Sequence, residues 1–446
     1  MKISTFRQSR ALNVFVGLQI AVLLIYLNAN IVNVGEMGAG LSILLAFVFL
    51  SVMAFVFLSL KRKLYVRLHL LFFLTLILWI AFRVIMDLGD LEYLKQITVA
   101  TTGGMLLFYV VGFFLGTVFQ SVLLYNVKLT IEKIVILFFT VLLVWMLYNF
   151  SYRLYESLFF LKGVDGGYQR PGNFLSISFI IVSFLYVNLI LKRINVNGAV
   201  AGGIFWLGIY TCSTLMSLVG SQLFGSNSAT AVILGVYLIT LVMTLIIPRK
   251  SMWQSYLSQK LALPWSKRLL KQLSVMSILG VVLFIVFLVS IINITNFDIL
   301  SLRLLGFGSG TNTSLLSRIH ILLESGVSQM GYAPFFGNIN VAYLTTGNAG
   351  RTLHSFFPYV MANLGLVGLT IVLVLFGSVF VQLYRESKKT REVGLHGYQS
   401  KMIALYSMFI LFYMIFFANL ATGVSWLVLW FTLGFVSKPF GFSERV

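Results

Sequence analysis

The arrangement richest in chemical meaning is His354-Ser355, nine residues, Gly365, two residues, Gly368. An imidazole suits proton transfer near neutral pH. Ser355 is a suitable N-cap, and Pro358 is tolerated in a first helical turn, so the spacing predicts a helix with His354 at its mouth. The positive end of the helix dipole there attracts anions and favours the neutral imidazole that a general base requires. Eleven residues at 100° each return to within about 20° of the starting face, and fourteen to within about 40°. The expectation is therefore that His354, Gly365 and Gly368 share one stripe along which a helix or a lipid chain packs closely. A lone interfacial histidine beside packing glycines fits the same residues.

Three arginines have the type and placement to hold phosphate near such a base: Arg170 in Tyr168-Gln169-Arg170-Pro171-Gly172, Arg318, and Arg351. A guanidinium stays charged and donates two parallel hydrogen bonds to an oxyanion. Snorkelling to headgroups, or ion pairing with Glu324, Asp298 or Asp165, would occupy the same side chains. Arg83 lies deep in an apolar run with Asp87 one turn on, either a functional intramembrane charge or a buried i, i+4 pair. Asp87, Asp90 and Glu92 offer oxygen ligands for Mg²⁺ or Mn²⁺, but their spacing is loose and Lys95 is close by, so no metal site is assigned. There is no Walker A, HExxH or GxSxG motif, which leaves ATP-driven transport and zinc hydrolysis without support.

The elements that must position these groups are helices in lipid. The 446 residues are 59% hydrophobic and 10% charged, far from the balance of a soluble domain. Apolar runs long enough to cross about 30 Å of hydrocarbon are read at 11–32, 40–60, 66–87, 97–125, 133–150, 173–191, 198–219, 227–247, 273–295, 355–384, 402–419 and 423–440. The expected fold class is all-α: one integral membrane domain over 1–446 with about twelve transmembrane helices.

The net charge of +20 is a topology signal. Most lysines and arginines cluster on one side of this span pattern, as in Lys61, Arg62, Lys63 and Arg67, or Arg249, Lys250, Lys260, Lys267, Arg268 and Lys271. The positive-inside rule then places both termini in the cytoplasm and the candidate chemistry outside, and removes any nucleic-acid footprint. Cys212, the single cysteine, falls inside an apolar run, so neither a disulfide framework nor a cysteine metal site is expected. The first span has a basic start without a cleavage pattern and is read as a retained anchor.

The outer loop at 296–353 is too long for a connector. Leu315, Leu316, Ile319, Leu322 and Leu323 recur at helical spacing, Asn312 or Thr313 can cap the start and Gly326 the end. This predicts a short amphipathic helix at the interface carrying Arg318 and His320 beside its apolar stripe.

His354-Ser355-x9-Gly365-x2-Gly368, with Arg318 upstream in the largest outer loop of a chain of about twelve spans, resembles the bacterial O-antigen polymerase and ligase family. Arg170-Pro171-Gly172-Asn173 is similar to the arginine element that opens an earlier span there. The serine-arginine element of many relatives stands here as Gly225-Ser226-Asn227-Ser228-Ala229, without arginine, so Arg170 or Arg351 would take its share of the anion. The resemblance implies a GT-C-like helical fold, in the inner (cytoplasmic) membrane, acting on the extracytoplasmic face. It implies glycosyl transfer from an undecaprenyl-diphosphate-linked glycan to a glycan acceptor, without metal or cofactor, and admits a chain-length regulator as partner. His354 and Arg318 would be catalytic, with Arg170, Arg318 and Arg351 on the diphosphate. Polymerisation of repeat units into O-antigen, capsule or related polysaccharide is the favoured activity. Ligation of a finished glycan onto lipid A-core or another acceptor, and export of lipid-linked sugars, are the alternatives.

Overall fold

The computed structural model describes residues 62–88, 109–117, 129–156, 169–197, 201–223, 226–245, 311–389, 395–417, 427–437 and 440–444, with single positions at 18, 49, 52, 53 and 56. These are overwhelmingly helical, the fold in which a segment satisfies its own backbone hydrogen bonds. Spans expected at 11–32, 40–60 and 273–295 lie outside the described residues apart from those single positions. Leu68–Asp87 and Phe356–Arg385 are long and apolar enough to cross a membrane, and shorter apolar helices lie at Leu175–Ile190, Phe205–Ser221, Ser228–Val242, Ile403–Ile415 and Leu427–Ser437. Length and composition fit a membrane protein. The helical expectation misses one ribbon: strand β1, Arg62–Val66, pairs antiparallel with β2, Phe440–Glu444, Val66 opposite Phe440.

The chain divides into two compact units, the first including 124–308 and the second combining 52–123, 309–389 and 403–446. In the first unit, α2 (Leu129–Glu156), α3 (Gln169–Asn197), α4 (Ala201–Leu223) and α5 (Asn227–Leu245) pack against one another. α3 is buried on every side from Leu175 to Ile190. Hydroxyls join these helices. Tyr210 bonds Ser183 (2.7 Å) and Thr240 (3.2 Å), Thr140 bonds Ser213 (2.8 Å), and Ser221 bonds Thr230 (2.6 Å). Most of these hydroxyls also bond the carbonyl one turn back, so none needs water.

In the second unit, α1 (Leu68–Asp87) buries one stripe, Phe73, Leu76, Ile80, Arg83 and Asp87. The remainder of its surface is apolar and exposed, as at Leu78 and Ile85, each 69%. The stripe meets α8 (Phe356–Lys389). His69 Nδ1 lies 2.9 Å from Ser378 Oγ near one end of the crossing, and Trp79 Nε1 donates to the Leu364 carbonyl (2.9 Å) near the other, so the two helices run antiparallel. Gly368 leaves room for the Trp79 indole. Before α8 come α6 (Thr311–Tyr332), α7 (Val341–Thr346) and a 3-10 turn, Ala349–Arg351. α9 (Leu395–Phe412) ends in a π turn, Tyr413–Phe417, and α10 (Leu427–Ser437) is buried throughout. Gly112, Gly116 and Gly434 let the helical residues 109–117 and α10 touch backbone to backbone.

Candidate functional site

His354 is the last residue but one before α8. The Ser355 carbonyl accepts the first intrahelical bond from Tyr359 N–H (2.9 Å), which makes Ser355 the N-cap, and Pro358 sits in the first turn. The imidazole is half-buried. Burial, and after it the positive charge of Arg318, lower its pKa from 6.5 to about 4. It is therefore neutral at physiological pH. Arg318 and His354, 36 residues apart, thus act electrostatically on one another, Arg318 from the third turn of α6.

The segment between them is fastened by groups that the sequence reading did not single out. Gln329 of α6 is fully buried, and its Nε2 donates to the Arg351 carbonyl and to Ser325 Oγ, both 2.9 Å. Gly326 lies against the side chain of Leu353. These contacts hold residues 351–353 against α6 and so set where His354 stands relative to Arg318. A signal for them was present: Ser325 and Gln329 follow Arg318 by seven and eleven residues, within about 20° of one helical face.

Arg351 is half-exposed and pairs with Glu324 (3.6 Å), whose Oε2 also lies 2.7 Å from His320 Nδ1. Exposed pairs of this kind are worth less than about 1 kcal/mol, so an anion of higher charge can take Arg351 from Glu324. Arg170 lies in the first turn of α3, in the first unit, and its side chain is outside the described residues. Gly172 abuts Ser226, the residue that opens α5 by accepting from Ala229 N–H (3.3 Å). Residues 172–173 and 226–229, distant in sequence, are thereby adjacent.

Two expectations need correction. The stripe shared by His354, Gly365 and Gly368 assumed an unbroken helix. His354 precedes the helix, and at Gly365 the backbone leaves it, with φ +67° and ψ −171°. The physical cause is a second chain segment. Gly337 (φ +72°) meets Gly365 so closely that a Cβ on either would overlap the other's backbone. The groups freed by the break are rebonded there: Asn338 N–H to the Ala362 carbonyl (3.1 Å), Leu366 N–H to Pro334 (2.8 Å), and Val367 N–H to Phe335 (3.1 Å). Both glycines are required, since left-handed φ without overlap is open only to them. The other expectation was a short helix ending at Gly326. α6 runs on to Tyr332, because Gln329 and Ser325 bond on its inner side and Gly326 is a contact point.

Arg83 and Asp87 form the buried i, i+4 pair. Asp87 does more than neutralise Arg83. Its Oδ2 accepts from Ile339 N–H and its carbonyl from Asn340 Nδ2, both 2.9 Å, which anchors the start of α7 to the end of α1. This carboxylate is committed to structure. Asp90 and Glu92 lie outside the described residues, and among the described residues no group of three metal-ligating side chains occurs. Comparison with protein-family models, curated proteins and solved structures gives no match.

Proposed function

We propose that this chain is an integral glycosyltransferase of the bacterial inner membrane, with about twelve spans, a GT-C-like fold, cytoplasmic termini and an outward-facing site. It joins undecaprenyl-diphosphate-linked repeat units into O-antigen, capsule or a related surface polysaccharide. The observation that carries this reading is His354, held neutral and half-buried at a helix N-terminus beside the Arg318 charge. A neutral imidazole next to a fixed cation is what acid–base glycosyl transfer from a diphosphate needs.

In this reading an imidazole nitrogen of His354 takes the proton of the acceptor hydroxyl as its oxygen bonds the anomeric carbon of the donor. The bond from that carbon to the diphosphate oxygen breaks, and the electron pair leaves on the diphosphate. Arg318 and Arg351 neutralise the charge that develops there. The weak Glu324 partnership leaves Arg351 available for that task. Neither metal nor cofactor enters the step.

The test uses the purified full chain with lipid-diphosphate-linked repeat units in chelator, comparing wild type with His354→Ala and Arg318→Ala on a glycan gel. A ladder from wild type alone is expected. Transfer of a single glycan only when another acceptor is added would replace polymerase by ligase. No transfer under any condition would overturn the enzymatic reading in favour of an exporter of lipid-linked sugars.

A further inference from the structure

We infer that residues 323–346 form a re-entrant hairpin inserted among the acyl chains of the outer leaflet, rather than a loop lying on the membrane surface. The inference requires that α1 and α8 cross the membrane and is independent of the reaction proposed above.

The polarity of α6 is inside-out for a helix in water. Its protein-facing side carries Ser325 (6% exposed) and Gln329 (0%), while its open side presents Leu323 (75%) and Val327 (80%). The one polar side chain open over 325–331 is Ser328, whose hydroxyl donates to the Ser325 carbonyl (2.9 Å), so glutamine and serine inward with large aliphatics outward gives the pattern that lipid selects. Past α6, Phe335 (64%) and Phe336 (56%) are also open. From Ser325 to Gly350 there is no Asp, Glu, Lys, Arg or His. The charged groups stand at the two ends, where Glu324 and Arg351 pair.

Depth follows from backbone hydrogen bonding. Gly365 interrupts α8 nine residues after Phe356, about 14 Å along the helix at 1.5 Å per residue. A broken backbone in hydrocarbon must be re-satisfied by protein, each lost bond costing several kcal/mol. Residues 334–338 supply those bonds and therefore sit at the level of Gly365. α6 descends from Glu324 to Tyr332 over about 12 Å, most of one leaflet's half of the 30 Å core. At the tip, Phe336 lies 6.2 Å from Trp79, which in turn lies 5.4 Å from Phe82 on the exposed side of α1. The open aromatic surface of the hairpin is thus continuous with the apolar face of a membrane-crossing helix. That continuity assigns the acyl chains as occupant.

The full chain, with Cys212→Ser, is reconstituted in phosphatidylethanolamine/phosphatidylglycerol vesicles carrying an environment-sensitive fluorophore at Leu323→Cys, Val327→Cys or Phe336→Cys, and at Asn348→Cys for comparison. The expected result is a blue-shifted emission at the first three, quenched by nitroxide on the acyl chain, with loss of iodide quenching that persists at Asn348. Iodide quenching at Val327 and Phe336 equal to that at Asn348 would overturn the insertion. Protection from both quenchers would also overturn it, in favour of a protein partner. Wild-type protein photolabelled by an acyl-borne diazirine gives the same reading without substitution: label recovered in 323–336 is expected, and its absence there counts against the hairpin.

Discussion

The two units solve the problem of polar groups in an apolar medium differently. The first unit joins α2 to α5 through neutral hydroxyls whose bonds close on a neighbouring helix and, for most, on the carbonyl one turn back, with no break like that at Gly365 in the described residues of these four helices. The second unit breaks a helix at Gly365, buries the Arg83–Asp87 pair and rebonds both with residues 334–339. Hydroxyl ladders are additive and forgiving, since each contact is worth about 0.6 kcal/mol. The second arrangement is all-or-none, because losing one partner strands a charge or a backbone group. Precision of this kind is concentrated in the unit that carries His354 and Arg318.

This contrast can be broken by substitution. The largest effect is expected from Gly365→Ala, which places a Cβ against residues 335–337 at a left-handed φ. It should cost more than about 5 kcal/mol, read as lost folded yield and a lowered melting temperature in detergent. Asp87→Ala leaves Arg83 buried without its counter-ion and Ile339 N–H without its acceptor, and should cost about 3–5 kcal/mol. Asp87→Asn, which can still accept from Ile339, should lose less on the same melt. Tyr210→Phe removes two hydroxyl contacts in the first unit, with a loss near or below about 1 kcal/mol. A loss matching that of Asp87→Ala would erase the distinction between the units.

The smallest effect concerns pH. With the His354 pKa at about 4 in place of 6.5, the neutral base persists to acidic pH, and the acid limb of kcat/KM should fall near pH 4. Arg318→Gln removes the second cause of the lowering, so the limb of its residual activity should move up towards 6.5. The stability sign is equally definite. Between 6.5 and about 4 the unfolded chain binds a proton at His354 that the folded chain does not, so this residue's contribution declines as pH falls through that window and then levels off. A His354→Gln variant should lack that decline.

Local features were legible from sequence. The α1 boundaries, the Ser355 cap, the i, i+4 partnership of Arg83 with Asp87 and the pairing of Arg351 with Glu324 all follow from spacings or from a short menu of partners. Gly365 shows what was not. A glycine in an apolar run fits regular helix packing, and its actual partner, Gly337, belongs to a segment read as surface loop. Pro334-Phe335-Phe336-Gly337 signals a turn, but no local signal says that the turn rebonds a helix. Asp87 is similar: its partner Arg83 is one turn away and readable, whereas Ile339 is 252 positions on. Gln329 stood between, its period from Arg318 visible but its bond to the Arg351 carbonyl set by the tertiary path.

That separation bears on how the chain is made. At roughly 5–20 residues per second, Ile339 leaves the ribosome on the order of 10 to 50 s after Asp87. In the membrane reading proposed above, α1 dwells in the bilayer through this interval with a guanidinium and a carboxylate in its length. Because Arg83 and Asp87 lie one turn apart on the same helix, they neutralise one another without help from any later segment. The pair thus serves as a travelling companion in that reading, and becomes an anchor only when Ile339 arrives to claim the free oxygen of Asp87.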